Sequence, residues 1–192
     1  MNRAERGGGI DVGRGPVLPM DDSDAPRPEE LVERYRRRIY AVIYRMTGTH
    51  AETDDLCQET FLQMFRSLPG FRPGTNLDSW VYRIAMNVSV DHLRRQGKGR
   101  KLRRELEARP APVAAPEGIP DETARAVREA VDGLPPDQKA VVVLRLFEGL
   151  GHDEIAAIVG APVATVRWRL FASLEKLEKA LAPHVESGEG RP

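Results

Sequence analysis

Arg167 and Arg169 flank Trp168 in the stretch HDEIAAIVGAPVATVRWRLF, residues 152–171. A guanidinium fork matches the acceptor pair of a phosphate or of a guanine edge, so arginines beside an indole suit nucleic acid better than bond-making chemistry. A second cationic group runs from Arg94 to Arg104, with Lys or Arg at 94, 95, 98, 100, 101, 103 and 104 and no acid. Alone, such a run also serves as a favourable helix C-terminus. Ahead of it stand Trp80, Tyr82, Arg83 and Asn87. They offer aromatic faces on which bases stack, a cation for the strand, and an amide that reads a base edge. Trp80 by itself reads first as a core residue. The groups an enzyme needs do not assemble. Cys57 is the single cysteine, without a disulfide or metal-spaced partner, and is expected to pack in a helix. His50, His92, His152 and His184 are scattered, and RGGGIDVGRG lacks the strand and helix of a phosphate loop. No catalytic residue, metal site or cofactor is expected.

Helices must position these groups. Leu31, Tyr35, Ile39, Val42, Ile43 and Met46 recur at steps of three and four, one face of a helix ended by Gly48. A second helix follows, capped by Thr49 or Thr53, with Glu52, Asp54 and Asp55 near its positive end and Leu56, Phe61, Leu62, Phe65 and Leu68 expected inside. LPGFRPGTN breaks the chain, and Asp78 or Ser79 is expected to cap a third helix with Trp80, Ile84, Ala85 and Val88 inward. A proline-rich spacer separates this bundle from a second one that begins with a helix capped at Asp121. No useful β-like alternation occurs, VVVL being embedded in a helical pattern. The fold expected is all-α, in two small domains joined by a Pro-rich linker and independent of one another. The divisions are a disordered tail over 1–28, the first domain over 29–104, the linker over 105–120, the second domain over 121–182, and a flexible tail over 183–192.

The stretch 152–171 meets the demands of a helix-turn-helix. Ala156 is small where two helices cross, Gly160 accepts a left-handed turn, and Val166 packs back onto the first helix, with Pro162 suited to the start of the second. An ordinary helical hairpin is the plain alternative. In a DNA-binding reading, Val163, Ala164, Arg167, Trp168 and Phe171 meet a major groove, while Thr165 and Arg169 approach the backbone or a neighbouring helix. From Val163 to Leu181 four cations stand against two acids, so this helix alone should bind weakly. The whole chain has 29 Lys and Arg against 29 Asp and Glu, which excludes indiscriminate binding by overall charge. No run reaches the ~20 apolar residues of a membrane span, and no apolar signal-peptide core is visible; a cytoplasmic setting is expected.

Two stretches carry a family resemblance. ETDDLCQETFLQMFRSLPGFRPGTNLDSWVYRIAMNVSVDHLRR resembles region two, and LPPDQKAVVVLRLFEGLGHDEIAAIVGAPVATVRWRLFASLEKL resembles region four, of the extracytoplasmic-function (ECF) sigma factors of the sigma-70 class. The resemblance implies a protein that binds core RNA polymerase, directs it to promoters and helps melt DNA. Region four would read the upstream (−35) element as duplex and region two the proximal (−10) element as single strand. It further implies that Asp54, Asp55, Leu56, Gln58 and Glu59 form the polymerase-binding helix, the acids facing a positively charged coiled coil. The loop from Pro69 to Asp78, with Trp80, Tyr82, Arg83 and Asn87, would capture a flipped base, and Arg94, Arg95, Lys98 and Arg100 would follow the strand. Val163, Ala164, Thr165, Arg167, Trp168 and Phe171 would read the upstream element. Partners implied are core polymerase, promoter DNA and an anti-sigma protein, with a monomer when free and no membrane insertion.

Departures from the pattern concern the upstream reader. The family usually has Gly at the place of Ala164, often Ser at Trp168, and Arg at Ala172, and a basic cluster where this chain has ASLEKLEKAL. An unusual or weakly bound upstream element is therefore expected. The alternative function is a repressor or activator using the helix-turn-helix alone, which would bind duplex DNA unaided as a symmetric dimer.

Overall fold

The computed structural model describes residues 27–72, 76–97 and 121–186, and all its regular elements there are helical. The two expected tails (apart from the positions noted below), the linker, Lys98 and Arg100 lie outside the described residues. Helix α1 (Pro28–Thr47) starts within the stretch expected as tail, since Pro28 sits at the first turn, where its missing N–H costs nothing. Gly48 closes α1 at φ 81°, donating its N–H to the Tyr44 carbonyl at 2.8 Å. Thr49, not Thr53, then caps α2 (His50–Ser67): its Oγ1 accepts from the Glu52 N–H at 3.3 Å. Thr53 is instead buried, donating its hydroxyl to the Thr49 carbonyl. The inner face of α2 steps by four through Leu56, Thr60 and Met64, and the step continues to Leu68 just past its end. Leu62 falls on the opposite face and is 48% exposed, contrary to expectation.

Helix α3 (Leu77–Gln96) is capped by Asn76, whose side-chain oxygen accepts from the Ser79 N–H at 3.0 Å. Neither Asp78 nor Ser79 does so. The Asp78 carboxylate is taken up by α1, accepting from the buried Tyr35 hydroxyl and facing Arg34 at 3.4 Å and Arg38 at 3.7 Å. Burial and this bond push the Tyr35 hydroxyl well above its ordinary pKa. Helices α1 to α3 enclose one apolar core containing Tyr35, Ile39, Leu56, Met64, Ile84 and Val88.

Beyond the linker, α4 (Asp121–Asp132) and α5 (Pro136–Val142) begin the second bundle, α5 running on through a wider π-type turn over Val143–Phe147. Lys139 is 1% exposed, its ammonium 2.6 Å from Asp132. Helix α6 (His152–Val159) and helix α7 (Val163–Glu186) follow; α7 runs past residue 182. Val131, Leu134, Val142 and Leu177 close a local core.

The two bundles are not independent bodies. Val42, Met46, Tyr82, Met86 and Leu93 from the first share one apolar cluster with Val141, Leu144, Ile155, Ile158 and Val166 from the second. α3 is the reason: Val81, Ile84, Ala85 and Val88 face its own bundle, while Tyr82, Met86 and Leu93 are buried against the other. A helix apolar on two faces needs two partners.

Candidate nucleic-acid interface

The turn between α6 and α7 is built as the sequence pattern requires. Gly160 lies at φ 62°, ψ 37°, the left-handed region open to glycine, and its N–H and that of Ala161 both reach the Ala156 carbonyl. The helix axes bend by 103°, within the range of a helix-turn-helix. Val166 is fully buried, which fixes the rotation of α7 and turns the opposite side outward. Replacing Gly160 with Val should therefore cost about 1–2 kcal/mol, from the side-chain clash in the left-handed conformation. Urea unfolding measures it; an unchanged midpoint would show that the turn does not depend on that conformation.

The outward side of α7 carries Ala164, Arg167, Trp168 and Phe171, the last two 62% and 69% exposed. Val163 and Thr165 are half-buried at the first turn. Arg169 turns toward the bundle, 3.9 Å from Asp137, as expected for a neighbour contact. Leu174, 44% exposed, extends the apolar stripe, a feature the composition of ASLEKLEKAL conceals.

The residues of α3 have other surroundings. Trp80 is half-buried, edge-on to Phe71 with ring centres 5.1 Å apart, so it serves the first core. Tyr82 is 4% exposed, and its hydroxyl donates to Glu148 Oε2 at 2.5 Å. Burial, then the Glu148 carboxylate, raises its pKa far above the ordinary value. Arg83 donates from Nε at 3.1 Å, and from Nη2, to the Ala157 carbonyl in the last turn of α6. Arg94 holds Asp137 with two bonds, 2.9 and 3.0 Å. Asn87 is half-buried, and Arg95 is exposed with Nε on the Asp91 carbonyl. Glu148 also faces Arg45 at 3.4 Å, and Arg45 lies over the Phe147 ring at 4.7 Å. Sequence reasoning missed Glu148, whose partners are 66 and 103 positions away.

On α2, Asp54, Asp55 and Gln58 are exposed together, and Glu59 is half-buried, accepting from Gln63 at 2.8 Å. Leu56 is 6% exposed and packs in the first core. The exposed apolar member of this face is Leu62, one turn beyond Gln58. Cys57 is half-buried; burial and then Asp54 push its thiol up to about 11, which disfavours the thiolate. Among the described residues no single helix is long and apolar enough to cross a membrane.

The family model for Sigma-70 region 2 matches residues 31–99, and that for Sigma-70, region 4 matches residues 124–177. The chain is 36% identical to the ECF RNA polymerase sigma factor SigE of Mycolicibacterium smegmatis, over 85% of this chain and 65% of that protein, slightly less than two thirds of its length. It is 33% identical to the RNA polymerase sigma-H factor of Pseudomonas aeruginosa, over 80% of this chain and 85% of that protein. The fold is similar to the sigma factor RpoE of Bartonella quintana, solved with the anti-sigma factor NepR: TM-score 0.65, 21% identity, 80% of this chain and 96% of that one. It is also similar to CnrH, solved with the cytosolic domain of CnrY, at TM-score 0.60 and 24% identity, over 81% and 88% of the two chains. With both regions matched in order and relatives of this group at 30% identity or more, the chain belongs to the sigma-70 family of RNA polymerase sigma factors, in its extracytoplasmic-function group.

Proposed function

We propose that this chain binds core RNA polymerase through the exposed face of α2, brings it to a promoter through α7, and holds the melted non-template strand on α3. It acts by binding and supplies no catalytic group. The observation that supports the reading is the presence, in one chain, of a helix-turn-helix whose second helix turns Arg167, Trp168 and Phe171 outward and of a separate acidic face at Asp54, Asp55 and Gln58. A repressor needs only the first. Arg83, Asn87, Arg94 and Arg95 supply cations and an amide for an unpaired strand, which offset the few kcal/mol needed to unstack a base. Core polymerase and promoter DNA are the partners, and an anti-sigma protein is the kind of regulator such a chain takes.

The test is co-purification with core polymerase followed by run-off transcription, with wild type against Asn87→Ala. The variant should keep polymerase and change its preference at one base of the proximal element. An unchanged preference would move base reading to the loop before α3.

Trp168 sets the upstream preference. A large indole in the major groove has little hydrogen-bonding choice and favours the apolar methyl of thymine. Holoenzyme-bound upstream elements should therefore carry a thymine opposite it. Replacing that thymine with deoxyuridine removes one methyl, worth about 0.8 kcal/mol or about fourfold in affinity, for the wild type and not for Trp168→Ser. Equal losses in both would assign the methyl contact elsewhere.

A further inference from the structure

We propose that the outward side of α7 pairs with itself: two copies of this chain join antiparallel along it, and each covers the other's upstream reader. The covering rests on the reading of α7 as the groove-facing helix, whereas the pairing does not.

A DNA reader accounts for only the first half of this side. Ala164, Arg167, Trp168 and Phe171 fit a groove, yet the same line runs on into Leu174 and Glu178, an apolar group and then an acid that phosphates repel. Val166, Ser173 and Leu177 are buried, so the line faces away from the chain's own core. Ala164, Arg167, Phe171, Leu174 and Glu178 follow one another at steps of three and four, the repeat of a helix that packs along a partner helix. Trp168 and Glu175 flank that seam.

The ends of the line identify the partner. Arg167 and Glu178 are exposed, and among the described residues neither has a hydrogen-bond or ion-pair partner. Other charges of this stretch are engaged within the chain: Glu175 with Lys179 at 2.7 Å, Lys176 with Gln138 at 3.0 Å, and Arg169 facing Asp137 at 3.9 Å. Arg167 and Glu178 stand about three turns apart, too far to meet on one helix. An antiparallel copy sets each against its opposite. Arg167 then meets the partner's Glu178 at both ends, and between them Phe171 packs on the partner's Leu174, twice, with Trp168 beside the stem of the partner's Glu175. A parallel pair would set Arg167 on Arg167 and Glu178 on Glu178.

One helix face from each chain is less than a stable interface needs, so the dimer forms and dissociates with concentration. The monomer implied by the resemblance is then the dilute state. This pairing hides both reading helices, unlike the symmetric dimer of a repressor, which presents them to duplex DNA.

The test is sedimentation equilibrium of the full chain from about 1 to about 200 µM, the range in which so small an interface dissociates. All the substituted positions are exposed, and circular dichroism checks the fold. The wild-type mass should rise toward that of two chains. Phe171→Ser should weaken association at least about tenfold, because both rings leave the seam. Arg167→Glu and, separately, Glu178→Arg set like charges together and should each weaken it at least about tenfold. Combined in one chain they exchange the two ends, and association should return to within about threefold of wild type. A wild type that stays monomeric over this range, an association that survives the single reversals, or one that the combined reversal fails to restore overturns the proposal. Run-off transcription with core polymerase separates the pairing from the groove reading. A combined variant that associates and has lost the wild-type promoter preference supports both. One that associates and keeps that preference removes the groove reading and leaves the pairing, and a monomeric wild type that selects promoters removes the pairing alone.

Discussion

Asp54→Lys combined with Asp55→Lys is expected to lower affinity for core RNA polymerase by at least about a hundredfold while leaving helix content and unfolding unchanged. Both aspartates are exposed on α2, beyond its first turn, so reversal adds little strain to the helix dipole. Like charges set against one another at a docking surface cost several kcal/mol, and each 1.4 kcal/mol is tenfold. Two reversals opposite a cationic surface therefore exceed what a transient complex can lose. Surface plasmon resonance on immobilised core polymerase gives the affinity, and circular dichroism checks the fold. Leu62→Ser is the uncharged companion, expected to weaken the same complex without altering its salt dependence. A double variant that still binds within threefold of wild type would place the polymerase contact on another face.

The second large effect concerns Arg167. It is exposed on the outward side of α7, while Val166 beside it is buried and locks the helix in rotation. A bidentate arginine contact to guanine is worth about 1–3 kcal/mol. Arg167→Ala should therefore reduce initiation at a selected promoter about tenfold to a hundredfold. The loss should be confined to promoters with guanine at one upstream position. A weaker but uniform loss over all promoters, with a reduced salt slope, would identify Arg167 as a phosphate contact instead.

Much of the fold was legible because its signals are local. Ala156, Gly160 and Val166 specify a turn within eleven residues, and each took the place that its chemistry demands. Gly48 ended α1 for the same reason. What escaped sequence reading was long-range. Asn76 caps α3 because Asp78 is already engaged by Tyr35, Arg34 and Arg38 on α1, a competition invisible in the local pattern. Leu62 was expected inside because it is apolar, yet the step of four through Leu56, Thr60 and Met64 turns it outward. The proline-rich linker suggested separate bodies, and the shared core joined them. One signal was available: Val81, Tyr82, Ile84, Ala85, Met86, Val88 and Leu93 surround α3, more apolar surface than one three-helix bundle can cover. The partners of Arg83 and Arg94 followed from that second interface, and no spacing within α3 could name Ala157 or Asp137.

Start-site selection, conferred on a polymerase that lacks it, is the property expected of this chain. Purified chain, core RNA polymerase and a genomic DNA library are combined, and the 5′ ends of the transcripts are sequenced. A small set of start sites is expected that share an upstream and a proximal element, absent without the chain and lost with the Asp54 and Asp55 reversal. Start sites indistinguishable from those of core polymerase alone would contradict it.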